Sequence, residues 1–154
     1  STLDSITNLA LQHLEMGALD AALELDEEAV HAMRATLGDD HEHTLHAIGS
    51  LAAVHNSRGT FSEALPLHEE ALATRRRILG EDHVDVMNSH HGLGQCLIGL
   101  SQRGAGVAQL REAVTTARRV LGPAHPTTQH FMSSLNTALK DSGGASCEQE
   151  TNAL

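Results

Sequence analysis

A short segment recurs in this chain at a constant spacing. Leu-Gly, two variable residues and then His occupy positions 37–41, 79–83 and 121–125, so that successive copies lie 42 residues apart. A period of this length is typical of solenoid proteins, which stack copies of one supersecondary unit. Because one unit cannot bury its apolar face alone, the repeat predicts a stacked array with a long shared surface.

Composition indicates that the repeated unit is helical. The 154 residues are 40% hydrophobic, contain no Trp or Tyr, and include only Phe61 and Phe131 as larger aromatic residues. A core of Leu, Ala, Ile, Val and Met suits close helix packing better than a β-sandwich. Apolar periodicity predicts helices at 3–16, 19–36, 43–57, 61–78, 85–100, 105–120 and 127–140.

The spacing also predicts how the helices pack and where they end. Small residues occupy equivalent positions of successive repeats, which we call columns, as Ala22, Ala64 and Gly106 do. Small residues at these positions would let neighbouring helices approach closely. The glycines of the recurring segment follow apolar and basic helix ends and are predicted to be left-handed C-cap residues: Gly38, Gly80 and Gly122.

The next helix is expected to begin a few residues after each glycine. Asp85 and Thr127 share one column and are predicted to be N-caps, and His43 occupies that column in the earlier junction. The histidines of the recurring segment are expected to bond the backbone at each junction: His41, His83 and His125.

These columns resemble the tetratricopeptide repeat (TPR) family, in the long form of kinesin light chains and related bacterial, fungal and protist proteins. The motif residues are Asn8-Leu9-Ala10, Gly17, Ala22-Leu23, Leu37-Gly38 and His41, with further copies in the next two repeats. The resemblance implies an all-α, right-handed superhelical solenoid of three helical hairpins and a C-terminal capping helix. Its domain covers 1–140, with repeats at about 1–42, 43–84 and 85–126 and a capping helix at 127–140; the non-periodic segment 141–154 is expected to be a disordered tail.

In the family the first helix of each hairpin lines a concave groove. Carried onto this chain, the resemblance implies small and polar groove residues, whose amides and hydroxyls suit the backbone of an extended peptide. The implied groove residues are Asp4, Thr7, Asn8, Leu11, His46, Ser50, Ala53, Asn88, His91, Gln95, His130, Ser133, Ser134 and Thr137.

The function implied by the resemblance is a non-enzymatic scaffold that binds a partner protein or peptide in the groove. The alternative is a self-assembling structural array, a homo-oligomer formed through solenoid ends. The first predicted helix would present Leu3, Ile6 and Leu14 with no preceding hairpin to cover them. An upstream domain of a longer chain could also cover that end.

Charge and cysteine content limit the classes of partner and the cellular compartment that we expect. The formal net charge is −10 and Lys140 is the only lysine, which disfavours nucleic acid and anionic membranes as partners and leaves room for a basic or neutral peptide. Cys96 and Cys147 do not form a disulfide framework, and neither a signal segment nor a membrane-spanning run is recognisable. A cytoplasmic location is therefore expected.

The twelve histidines raise two chemical hypotheses. The segment 39–46, which contains His41, His43 and His46 beside acidic residues, has the residue types of a zinc site. Because His41 belongs to the repeating column, a structural role is the simpler interpretation, and neither a metal nor another cofactor is predicted. His46, His91 and His130 on the groove side could gain charge near pH 6.5 and alter partner affinity. No nucleophile, phosphate loop or other catalytic constellation is recognisable.

Overall fold

The computed structural model describes residues 18–141, and all regular secondary structure in this range is α-helical, as predicted. The six helices of this range are α1 (Leu19–Leu37), α2 (Glu42–Arg58), α3 (Phe61–Leu79), α4 (Val84–Gly99), α5 (Arg103–Val120) and α6 (Pro126–Lys140). Their bounds agree with the predicted ones to within about two residues. The predicted helix at 3–16 and almost all of the predicted tail lie outside the described residues.

The chain divides into two compact units, residues 1–75 and 76–154. In the first unit, α1 packs against α2, and fully buried alanines on both helices allow close contact between them. Leu23 and Leu67 pack against this core at its edge. The core side chains are Ala29, Val30, Met33, Ala47, Ile48, Leu51 and Ala71.

The first unit also buries an acidic side chain. Asp26 of α1 is 0% exposed, and its Oδ2 accepts a hydrogen bond of 2.8 Å from the Ser50 hydroxyl of α2, while its Oδ1 has no partner. Burial raises the pKa of Asp26 to about 6, and the Ser50 hydrogen bond opposes that shift. Ser50 was predicted to line the groove; it is instead buried, with its hydroxyl held in this interior pair.

In the second unit, α4 packs against α5 and α5 packs against α6. Phe131 is 1% exposed and is the largest of the fully buried side chains. On α6 the buried apolar residues follow helical spacing, so that the intervening polar positions lie on another stripe of the same helix. The core side chains are Met87, Leu110, Ala113, Val114, Ala117, Phe131, Leu135, Ala138 and Leu139.

The crossing of α4 and α5 leaves no room for side chains at its centre. A Cβ atom added to Gly94 would lie 2.9 Å from the Gly106 carbonyl oxygen and 2.9 Å from Leu110 side-chain atoms. A Cβ atom added to Gly106 would lie 2.7 Å from the Gly94 carbonyl oxygen. These contacts are shorter than van der Waals packing allows, so the small-residue columns do set the helix separation here.

Each junction between a second and a first helix contains a glycine with positive φ, as predicted. The φ values are 90° at Gly38, 84° at Gly80 and 92° at Gly122. Gly38 has a ψ of 168°, which together with its positive φ places it in a region essentially restricted to glycine and not in the left-handed helical conformation that was expected. Glycine is favoured at these positions because residues with a Cβ rarely adopt such a φ.

The histidine after each glycine is the N-cap of the following helix. The Nδ1 atoms of His41, His83 and His125 accept the backbone N–H of the residue two positions later, at 3.2, 3.1 and 3.1 Å. The expected bond between these histidines and the backbone is therefore confirmed.

The N-caps predicted from sequence were wrong. His43, Asp85 and Thr127 lie inside the first turn and contribute their backbone N–H groups to the caps. In each junction the histidine is the residue with the extended backbone typical of an N-cap, with ψ values of 139°, 140° and 137°.

Between residues 18 and 141, no helix combines the length and the apolar character needed to cross a membrane.

The α4–α5 crossing predicts a position-specific response to alanine. We expect Gly94→Ala to lower the free energy of unfolding by about 1–3 kcal/mol, because the new methyl group must displace α5. Gly104→Ala is the matched control, since a Cβ atom there has nothing within 4 Å and alanine favours helix by up to ~1 kcal/mol. Urea unfolding measures both variants. Equal stabilities would contradict the close approach of the two helices.

The buried carboxyl predicts that Asp26→Asn stabilises the protein at neutral pH. Because the pKa of Asp26 is about 6 in the folded chain, above the ordinary aspartate value of 3.8, folding favours the protonated form. The contribution of Asp26 to stability is fully present below about pH 4 and is lost as the pH rises through 6. We expect Asp26→Asn to raise the unfolding free energy at pH 7.5 by roughly 1–3 kcal/mol.

That gain should disappear near pH 4, where the native carboxyl is itself protonated. Urea unfolding at both pH values measures the difference, and Ser50→Ala serves as a control that removes the hydroxyl and keeps the acid. A variant less stable than the native chain at pH 7.5 would show that the ionised carboxylate is favourable in the fold.

Candidate binding surface

Seven of the predicted groove residues lie on two helices of the second unit. On α4 they are spaced three and four residues apart and so share one face, and the same holds on α6. We call this set the α4–α6 surface. Its residues are Asn88, His91 and Gln95 on α4 and His130, Ser133, Ser134 and Thr137 on α6.

His91 joins the two helices of this surface. Its Nε2 lies 2.8 Å from the Ser134 Oγ, and its ring centroid lies 4.9 Å from that of His130, with the rings tilted by 57°. On its other side the ring stacks on Phe131, at 4.9 Å and an interplanar angle of 26°. Predicted residues from two helices are thus brought into direct contact.

The environment of His91 keeps its imidazole neutral. Burial lowers the pKa of His91 to about 4, and the neighbouring His130 lowers it further. The hypothesis that His91 gains charge near pH 6.5 is therefore wrong, because the protonated ring would lose hydration between Phe131 and Ser134 without gaining an acidic partner.

Five of the seven residues of the α4–α6 surface are open to solvent. The side chains of Asn88, Gln95, His130, Ser133 and Thr137 are exposed. Thr137 donates its hydroxyl to the Ser133 carbonyl oxygen at 3.0 Å, within its own helix. Within the described range, neither the Asn88 nor the Gln95 amide makes a hydrogen bond. Both amides can therefore bind a partner without first breaking a contact.

The first unit contributes fewer of the predicted residues. His46 is exposed and Ala53 is half-buried, whereas Ser50 is buried against Asp26. Sequence reasoning missed Arg75, whose guanidinium donates to the Leu45 carbonyl oxygen at 3.2 Å and lies over Gly49 of α2. A Cβ atom at Gly49 would lie 3.4 Å from Arg75 Nη2, in ordinary van der Waals contact. A comparison of equivalent positions in successive repeats does not reveal that these two residues are neighbours. Asp4, Thr7, Asn8 and Leu11 lie outside the described residues, as do Leu3, Ile6 and Leu14.

Sequence reasoning also missed Asp26, although a signal was present. Asp26 stands four residues after Ala22 and three before Ala29, both on the buried stripe of α1. A carboxylate at that spacing predicts a buried acid with a hydrogen-bond donor on the neighbouring helix.

Most of the other histidines serve the fold. His55 Nδ1 lies 2.8 Å from the Thr60 hydroxyl, and His68 Nε2 lies 3.0 Å from the Asn56 amide nitrogen. The rings of His41 and His43 meet edge to face at 5.2 Å, while His41 Nδ1 caps α2. Across residues 18–141, no three His, Cys, Asp or Glu side chains are arranged to hold a metal ion.

Comparison with solved structures gives close matches of the fold. The nearly identical TPR-like repeats of a candidate kinesin light chain from Podosopora anserina superpose with a TM-score of 0.84 at 26% identity, over 92% of this chain and 67% of that one. A point variant of the same protein gives 0.83. BtubC (BKLC) from P. vanneervenii gives 0.80 at 20% identity, over 92% of this chain and 56% of that one.

A search of curated proteins found no match. Comparison with protein families, in contrast, agrees with the structural matches. The tetratricopeptide repeat model matches residues 2–43, 44–85 and 91–127, which follow the 42-residue period and make up most of the chain. The chain therefore belongs to the tetratricopeptide repeat family.

Proposed function

We propose that this chain is a non-enzymatic interaction module that binds an extended segment of a partner protein on the α4–α6 surface. The observation that carries the proposal is the contact of His91 with His130 and Ser134. That contact makes one continuous polar surface from residues of two helices. Tetratricopeptide repeats generally act as scaffolds for protein–protein interaction, which supports this assignment.

The chemistry of the surface suits the main chain of a peptide. Each peptide unit presents one N–H donor and one carbonyl acceptor, and both need partners when water is displaced. The Asn88 and Gln95 amides each supply donors and an acceptor, and the Ser133 hydroxyl can do either. Because α4 and α6 hold these groups on regular helices, the groups are positioned before the partner arrives.

The similar solved structures include kinesin light chain repeats. By analogy with that family, we place the partner segment on a protein of the cytoplasm. Self-assembly is the competing proposal. It would use Leu3, Ile6 and Leu14 at the solenoid end. We favour partner binding because His91, His130 and Ser134 join the polar residues of two helices into one surface.

Peptides selected from a random 12-residue phage library against the purified chain test the proposal. We expect Asn88→Ala combined with Gln95→Ala to weaken binding of the selected peptides about tenfold or more, because two hydrogen bonds of about 1 kcal/mol each are lost. Calorimetry measures the dissociation constants. Gln102→Ala combined with Thr115→Ala is the matched control, since these residues are exposed and lie before and within α5.

Unchanged affinity in the Asn88 and Gln95 variant would place the binding site elsewhere. A library that yields no binding peptide would contradict peptide recognition altogether. Sedimentation of the same preparation distinguishes the competing proposal, since a concentration-dependent oligomer without peptide binding would favour self-assembly.

A further inference from the structure

We infer that the segment bound by the α4–α6 surface is uncharged where it contacts α4 and α6; this inference rests on the proposed function. All seven residues of the surface carry amide, hydroxyl or imidazole groups. Residues 76–141 include seven basic and five acidic side chains, and three of these lie one helical turn beyond the ends of the surface: Asp85 before Asn88, and Lys140 and Asp141 after Thr137. The uncharged part of the surface therefore extends from Asn88 to Gln95 on α4 and from His130 to Thr137 on α6.

Several charged side chains of the second unit are paired within the fold. Arg119 donates to both carboxylate oxygens of Asp82, and Arg76 donates to Glu81 at 2.6 Å, at the helix junctions. The hydrogen bond from Arg119 lowers the pKa of Asp82. Arg103 donates to the Ala138 carbonyl oxygen at 2.9 Å, at the end of α6. These ionised groups already have partners in the fold.

The contacts within the α4–α6 surface are between uncharged groups. Among the described residues, the hydrogen-bond and ring contacts of His91 and His130 involve only each other, Phe131 and Ser134. A carboxylate or ammonium group of a partner that is pressed against them would lose hydration and meet no opposite charge. Peptide amides and uncharged side chains avoid that cost, which favours a neutral segment.

The acidity of the whole chain does not alter this inference. Residues 1–75 contain thirteen acidic and three basic side chains, which account for the formal net charge of −10. The described part of the second unit has the opposite balance. The net charge left room for a basic or neutral peptide, and for the α4–α6 surface we infer the neutral one.

A pair of opposite charges at His130 tests the inference. His130 is exposed, so His130→Glu and His130→Lys should both leave the fold intact, which circular dichroism checks. With library-selected peptides, we expect both variants to weaken binding by a similar factor of about 3 to 10, since each places a charge beside an uncharged segment. Thr115→Glu and Thr115→Lys on α5 control for long-range effects.

The salt dependence of the native chain supplies a second readout that needs no variant. We expect the dissociation constant to change less than about twofold between 50 and 500 mM NaCl. Opposite responses of the two His130 variants, a steep salt dependence, or enrichment of acidic or basic residues among the selected peptides would overturn this inference alone. Failure to select any peptide would overturn the proposed function and this inference with it.

Discussion

One type of hydrogen bond fixes the start of α2, α4 and α6. The Nδ1 atom of His41, His83 or His125 accepts a first-turn backbone N–H directly after a glycine-containing turn. An N-cap of this kind contributes about 1 kcal/mol, and it also sets which residue becomes the first of the helix. The rotational position of every later side chain on that helix follows from this start. Asn88, His91 and Gln95 therefore keep a fixed angular offset from the cap at His83, while burial of Met87 and Leu93 on the same helix turns them away from the core.

The same hydrogen bond prevents these histidines from binding a metal ion through Nδ1. A neutral imidazole that accepts through Nδ1 carries its proton on Nε2, and the accepting lone pair is not available to a metal ion. The junction is accordingly built alike in all three copies. The surface positions differ from copy to copy instead, with His46, Asn88 and His130 in one column. Constant residues meet a packing requirement common to every repeat, whereas varied residues are free to specify a partner.

Much of the fold could be predicted because the 42-residue period aligned weak local signals into strong columns. The period gave helix bounds within about two residues. The predicted caps failed at Asp85 and Thr127 because these residue types are common N-caps, while an imidazole two positions earlier reaches the same N–H group.

The candidate site could be predicted only at positions whose surroundings are the same in every repeat. Ser50 and Ser134 share a column, yet Ser50 is buried and Ser134 bonds His91. The preceding helix explains the difference, since Asp26 offers Ser50 an acceptor and the equivalent residue in the second unit is Leu110. Such pairing between two columns is invisible when each column is considered separately.

Nitrogen-15 NMR of the histidine side chains can separate structural from binding imidazoles in one experiment. His83 and His125 should show the tautomer with the proton on Nε2, and their signals should not move when a selected peptide is added to saturation. The signals of His91 and His130 should shift, because the peptide contacts the surface that they form. Peptide-induced shifts at His83 and His125, with His91 and His130 unchanged, would contradict both the structural role of the junctions and the binding role of the α4–α6 surface.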